Sequence, residues 1–520
     1  MAQIFDAKSR IGLVPSNNGG LQPDFQSIAR TGIESYIQID MRPNPSTSAL
    51  TNGDDLLFDL EPNDGFNIKD MVLRLRVSCS NAEVQTVPAP YLFKRIRIIS
   101  NKGSGDTLQT IYPEQLVHWY SILEEPEREW FERNGHIKFL KGPHEMKIIA
   151  PEALAVGEIK DIYIPFPMSW WQMQAIQLQH LREDVRIWIE LDSDFVVSGT
   201  STNVSLDAVT LLINQDDLND QENKEWISAQ ENHEHRYRYL DVIRITDNSK
   251  TLTASSESKF DLQNIVGKCP FLLVYIKPSA APSASNGAKW LYTHLGHNTK
   301  FDLRSTTNES MLGKGNGIRA DYLEYLYALT HKQKPVRGVY MIPFTNDPLS
   351  AVSGVIDNFF DFTGDKDTLS ITFDSAPVQE VHRITASATI DGGSYRYYIG
   401  GEFSSELDHD ANDAAQKAAI EAIPIVDKWG YTVTSGGNVT ATRDYTWGSG
   451  NGRVSETLGL LQILGNSLKD GGVNATLTTS LLTRGREGFI TGSGYTVEIH
   501  AYYYRELLVD KNGRLYASTV

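Results

Sequence analysis

The sequence predicts an all-β chain of two tandem eight-stranded units, with a small α+β domain inserted in a loop of the second. Three observations carry this expectation. Tyr, Thr, Val and Ile crowd short segments that alternate apolar and polar residues, the period of half-buried strands. Four segments recur in the same order about 200 residues apart, the signature of a duplicated domain. At 520 residues the chain exceeds what a single core usually serves.

The duplication is read as follows. Phe58-Asp59-Leu60 leads through Gly65 into Met71-Val72-Leu73-Arg74-Leu75-Arg76-Val77, as Phe260-Asp261-Leu262 leads through Gly267 into Phe271-Leu272-Leu273-Val274-Tyr275-Ile276. Phe93 to Ile99, a turn through Gly103 and Gly105, and the helical stretch from Pro113 match Phe301 to Arg304, the turn Gly313 to Gly317, and the helical stretch from Ala320. Ile162-Tyr163-Ile164-Pro165-Phe166 precedes Val185 to Ser193 as Tyr340-Met341-Ile342-Pro343-Phe344 precedes Leu369 to Ser375. About eight strands per copy, with long loops on one side, fit a two-sheet jelly roll better than a small barrel.

In chain order, residues 1–30 are rich in Ser, Asn, Gly, Pro and Gln and read as an extended arm. The first roll spans 31–215, opening on the alternation Ile33, Ser35, Ile37, Ile39 and carrying a helical stretch from Pro113 to Asn134 in one loop. Residues 216–236 are strongly polar and form a linker. The second roll spans 237–380 and 488–520, closing on the strand Tyr495 to Tyr504. Between them, 381–487 form the inserted α+β domain. There Thr385 to Ile390 and Tyr395 to Ile399 read as strands joined through Asp391-Gly392-Gly393. A helix is expected from about Ala411 to Ile423, a hairpin from Gly430 to Thr442, and a further helix from Ser455 to Lys469.

The net charge of −17 and the lack of a basic run argue against wrapping nucleic acid. The first residues lack a signal-peptide layout and no apolar stretch spans a membrane, so a chain made as a soluble protein is expected. Cys79 and Cys269 read as packing residues. No constellation carries chemistry. Asp408 to Asp413 starts like a calcium loop, but Asp413 and Ala419 stand where Gly and Glu are needed, so these residues read as a helix cap. Gly313 to Gly317 lacks the phosphate-loop ending and reads as a turn, and His233 with His235 lacks a third ligand. The expectation is therefore no catalytic residue, no metal and no cofactor. Trp170 and Trp171, with Tyr120 and Phe359, are the candidates for interface or loop-anchoring contacts, since aromatic side chains combine large area with few rotamers.

These residues resemble the double jelly-roll major capsid proteins of tailless icosahedral DNA viruses, a lineage that includes tailless phages, virophages, polinton-like viruses and nucleo-cytoplasmic large DNA viruses. Ile164-Pro165-Phe166 followed by Gln174 to His180 and Val185-Arg186-Ile187 looks like the family's first-roll pattern. Tyr340 to Phe344, Asp347-Pro348, Ser353-Gly354 and Asn358-Phe359 look like that of the second, and Ala501 to Val509 with Gly513-Arg514-Leu515 is similar to its closing strand. The likeness covers about 31–380 and 488–520. It implies a homotrimeric, pseudo-hexagonal capsomer that tiles an icosahedral shell around a DNA genome. It further implies location in the virion capsid, neighbouring trimers and minor capsid or penton proteins as partners, and an arm facing inward, against one of these or an internal membrane. The insertion would stand outside, where a host receptor is a candidate partner. Two rival functions stay open, a double β-sandwich enzyme acting on glycans and a glycan-binding viral spike. The missing secretion signal and catalytic cluster count against the enzyme.

Overall fold

A computed structural model describes residues 12–15, 21–24, 34–40, 55–60, 67–100, 106–123, 125–142, 145–165, 176–177, 184–192, 196–199, 203–216, 235–279, 290–305, 307–346, 348, 358–362, 367–387, 389–435, 442–448, 454–464, 467–492, 494–510 and 514–519. The first repeat contributes β1 (Glu34–Asp40), β2 (Asp55–Leu60), β3 (Asn67–Cys79), β4 (Phe93–Ser100), β5 (Thr107–Ile111), β6 (Ile159–Pro165), β7 (Val185–Leu191) and β8 (Val204–Asp216). They pair antiparallel in two sheets, ordered β1-β8-β3-β6 and β2-β7-β4-β5. The second repeat contributes β9 (His235–Asp247), β10 (Glu257–Asp261), β11 (Phe271–Pro278), β12 (Lys300–Arg304), β13 (Ile318–Arg319), β14 (Val339–Pro343), β15 (Thr368–Thr372) and β16 (Tyr495–Val509). Their sheets are β9-β16-β11-β14 and β10-β15-β12-β13. Strands one, eight, three and six of each repeat thus share a sheet, and so do two, seven, four and five. This is the jelly-roll order, present twice: the fold is a double jelly roll.

The strand period explains why these residues form these sheets. In β7, Val185, Ile187, Ile189 and Leu191 are buried while Arg186, Trp188 and Glu190 face outward. The inward set meets Phe58 and Leu56 of β2 and Ile98 and Ile96 of β4 in register. Outward, Arg97 lies over the Trp188 ring at 3.9 Å and donates to Glu190 at 2.8 Å, so the guanidinium finds both a ring face and a carboxylate on the neighbouring strand.

In each roll the connection between the fifth and sixth strands is helical. In the first it holds α1 (Pro113–Ile122) and α2 (Glu125–Asn134), followed by a hairpin of Lys138–Lys141 with Met146–Ile149; in the second it holds α3 (Ala320–His331). Pro113, which has no amide hydrogen to satisfy, opens α1, and the Gln115 side chain accepts from the Tyr112 amide at 2.6 Å.

Between β15 and β16 the chain builds a separate core. Val381–Ala386 pairs with Thr442–Trp447 and Leu477–Thr483, and two helices, α4 (Asp413–Glu421) and α5 (Pro424–Trp429), pack on it. Asn412 caps α4 by accepting from the Ala415 amide at 2.9 Å. Two expectations here are corrected. The helix from Ser455 to Lys469 is a single turn, Val454–Thr457, followed by the strand Gln462–Leu464. Gly459 turns the chain at φ +83, and Leu461 and Ile463 point inward while Gln462 and Leu464 point out, a period of two that defeats the helix. The segments read as strands on either side of Asp391-Gly392-Gly393 do not pair with each other. Ser394–Ile399 belongs to a different sheet, with Glu402–Phe403, Leu407–Asp408 and Gln462–Leu464.

Replacing Ile187, fully buried between β2 and β4, with Ala is expected to destabilise the first roll by about 2–5 kcal/mol. A lower midpoint of urea unfolding, followed by the fluorescence of the chain's tryptophans, checks it.

Candidate functional site: the seam between the rolls

The run Phe271 to Ile276 is buried at every position, so the β9-β16-β11-β14 sheet is covered on both faces. Leu272, Val274 and Ile276 face the second roll's own core, as do Ile499 and Ala501 of β16. Phe271, Leu273, Tyr275, Tyr502 and Tyr504 face the other way and join the core of the first roll. Phe271 and Tyr502 stack there at 4.4 Å between ring centroids.

Polar groups fix the register of this seam. Arg505 donates to the Thr107 and Leu108 carbonyls at 2.9 and 3.0 Å and to Asp241 at 2.9 Å. Asp241 also accepts from the Thr110 amide at 3.1 Å and from Tyr503 at 3.1 Å. Burial lifts the Asp241 carboxyl above its ordinary range, against the pull of Arg505 and the amide donors. Tyr239 donates to the Leu108 carbonyl, Tyr91 pairs with Tyr292, and Ser121 lies 2.6 Å from the Tyr327 hydroxyl. Every one of these contacts joins the first roll to the second except the bonds that Asp241 makes with Tyr503 and Arg505.

A charged triad sits in the same layer. The Lys277 ammonium lies 2.9 Å from Glu114 on α1 and 2.9 Å from Glu498 on β16, with His500 3.5 Å from the far side of Glu498. Burial alone would lower the ammonium's pKa, but the two carboxylates outweigh it and hold it well above the ordinary lysine range. Buried triads of this kind add little net stability, because desolvation offsets attraction, yet removing one member is costly.

The helices meet across the seam. His118 of α1 packs edge-on against Tyr327 and His331 of α3, at 5.6 and 5.2 Å. Burial, then the neighbouring His331 and His500, pushes the His118 pKa down to about 3, so it is neutral in the folded chain.

At the loop end, three parts of the chain converge. The first roll's hairpin bonds to the second roll through the Met146 amide to Pro335 and the Arg337 amide to Met146, both 2.8 Å, and through Arg337 to Glu145 at 2.6 Å. Lys147 donates to the Trp429 carbonyl at 2.7 Å, and the Trp429 ring covers Gly142, where a Cβ would come within 2.6 Å of it. A cavity of about 270 Å³ lies among Lys147, Trp290, His294, Arg337, Trp429 and Glu487.

Of the aromatic residues singled out from the sequence, Tyr120 is fully buried between Trp119 and Phe131 and ties α1 to α2. Phe359 is partly exposed, with the Lys268 ammonium 5.1 Å from its ring. Trp170 and Trp171 lie outside the described residues, as does His233, while His235 begins β9. Sequence reasoning missed Asp241, Lys277, Glu498 and Arg505. Their signal was a charge inside an otherwise apolar strand, as in Val497-Glu498-Ile499.

No protein-family model and no curated protein matches the sequence. Among solved structures, the chain is similar to VP54 of the virus PBCV-1, fitted into a cryo-electron microscopy reconstruction of the virophage Sputnik: TM-score 0.53, 13% identity, 94% of this chain and 98% of that chain. It is similar also to a chain of a quasi-atomic structure of the PBCV-1 virus capsid, with TM-score 0.54, 13% identity and the same 94% and 98% coverage. The likeness is one of fold.

Lys277→Met is expected to destabilise the chain by about 3–5 kcal/mol by leaving Glu114 and Glu498 buried without a cation, whereas Lys277→Met with Glu114→Leu and Glu498→Leu recovers most of the loss. Chemical-unfolding midpoints of the two variants check it. A second expectation concerns acid. Because the folded His118 pKa lies below its ordinary 6.5, its contribution is complete above pH 6.5 and is lost as pH falls toward about 3, at about 1.4 kcal/mol per unit. Thermal midpoints between pH 7 and 5, above the range of ordinary carboxylates, should fall for the native chain and fall less steeply for His118→Leu.

Proposed function

We propose that this chain is a major capsid protein, a structural building block that associates into pseudo-hexagonal homotrimers and tiles an icosahedral shell around DNA. The observation that carries the reading is a double jelly roll matching, over nearly its whole length, a chain of a structure described as a virus capsid. The seam supports it mechanically. A trimer approximates a hexagon only if its two rolls keep one fixed relation, and a shared core pinned by Asp241, Arg505 and the Lys277 triad prevents them from swivelling.

One exposed surface fits self-association. On α3, Tyr322, Tyr325 and Leu329 are 52, 58 and 61% exposed. Their spacing of three and four places them on one face of the helix, opposite the buried Leu323, Tyr327 and His331. An aromatic stripe of this kind is costly to leave in water and typical of interface centres. In this reading α3 contacts a neighbouring copy, and Trp170 and Trp171 anchor a loop between subunits or domains. Residues 1–30 form an inward arm and 381–487 stand outward as a tower, made by the connection between the last two strands of the second roll. Neighbouring trimers and minor capsid proteins are the partners, and the virion is the site of action.

Light scattering of the purified chain is expected to give the mass of three chains, with pseudo-hexagonal particles in negative stain. Tyr325→Asp with Leu329→Asp should shift that mass toward one chain and leave the circular-dichroism spectrum unchanged. A monomer at every protein and salt concentration would overturn the reading.

A further inference from the structure

Where the inserted core returns to the second roll, His294, His297 and Glu487 converge. Glu487 Oε2 lies 2.9 Å from His294 Nδ1 and 3.6 Å from His297 Nε2. One ligand atom from each of the three lies within 4.8 Å of the other two. We propose that these three residues bind a divalent transition-metal ion of the zinc class, which fastens the return of the inserted segment to the second roll.

Geometry and chemistry both point this way. Ligand atoms around a tetrahedral ion with bonds of about 2.0–2.2 Å stand about 3.3 Å apart; the two separations from Glu487, 2.9 and 3.6 Å, differ from this by a few tenths of an ångström, and the two imidazole nitrogens lie within 4.8 Å of each other. Two imidazoles and one carboxylate form a donor set that suits zinc and leaves a fourth position for water. Oxygen-preferring calcium or magnesium is a poorer match.

The surroundings are arranged as an outer shell. Glu324 on α3 faces the opposite nitrogens of both rings, 3.3 Å from His294 Nε2 and 3.8 Å from His297 Nδ1. His297 Nδ1 is buried and makes no hydrogen bond among the described residues, so a modest turn of the ring toward Glu324 would satisfy it. Arg337 lies 3.4 Å from the free oxygen of Glu487. Metal-bound imidazoles ordinarily carry such a carboxylate on the second nitrogen, which fixes the tautomer.

The backbone brings the two rings together through Gly296. It takes φ +86, and a Cβ there would stand 2.6 Å from the Asp374 Cβ, so glycine is required for the turn between His294 and His297. The Gly296 amide also donates to His294 Nδ1 at 3.1 Å, a bond the ion would replace. His294 and Glu487 line the cavity of about 270 Å³, which gives the ion an entry path. A second cluster of possible ligands among the described residues, Glu114, Glu498 and His500, is already neutralised by the Lys277 ammonium, 2.9 Å from each of the two carboxylates.

The test uses the full-length chain without an affinity tag, stripped with a chelator and titrated with zinc chloride by calorimetry. One ion per chain is expected, with a raised thermal midpoint, and cobalt should give the visible bands of a tetrahedral site. His297→Ala, at the solvent edge, should abolish uptake at that site while keeping the native circular-dichroism spectrum and oligomeric mass. Glu324→Gln should weaken affinity about 10–100-fold. Absence of stoichiometric zinc, or uptake unchanged in both His297→Ala and Glu487→Gln, would overturn the proposal. Neither result bears on the oligomeric mass that tests the capsid reading.

Discussion

The double burial of one sheet governs the rest of this structure. A jelly roll ordinarily shows solvent the outer face of each sheet, but here the β9-β16-β11-β14 sheet has the second roll's core on one side and the first roll on the other. Its strands therefore carry apolar side chains at both parities. A sheet so covered cannot slide or tilt without exposing either core, so the rolls move as one body.

Burying that sheet creates an electrostatic problem, because Asp241, Lys277, Glu498 and Arg505 lie in the covered layer. Each must find its partner there or bear the full cost of desolvation. Partners for Asp241, Lys277 and Arg505 come in part from the first roll, as the Thr107 and Leu108 carbonyls of β5, the Thr110 amide and Glu114 of α1. Such contacts contribute little net stability but are intolerant of misregister, so they select one docking of the rolls among the many that an apolar face would accept.

The loop end repeats the pattern with charge at its centre. Arg337 binds Glu145 of the first roll on one side and Glu487, at the return from the insertion, on the other. Attraction to the two carboxylates outweighs burial and keeps the guanidinium charged. The seam and the insertion's footing are therefore one continuous network. His294, His297 and Glu324 extend it toward solvent.

The sequence by itself determined that two jelly rolls stand in tandem, because the strands and turns that make them are local features. Strand period and turn residues are written within windows of ten or so residues, as in Val185 to Leu191 or Pro113 to Tyr120, and the duplication shows when such windows recur in the same order about 200 residues on. The sequence did not declare that this sheet is covered on both sides, although the run Phe271 to Ile276 is apolar throughout. It failed where local signals competed: the leucines after Ser455 fit a helical period as well as a strand's until Gly459 and the pairing with Ser394–Ile399 decided. What only the tertiary structure decided is which distant residues meet. Lys277 lies 163 positions from Glu114, Arg505 lies 264 from Asp241, and His294 meets a glutamate at position 487. No spacing within one segment encodes such encounters, since they depend on how two finished rolls and an inserted core settle against one another.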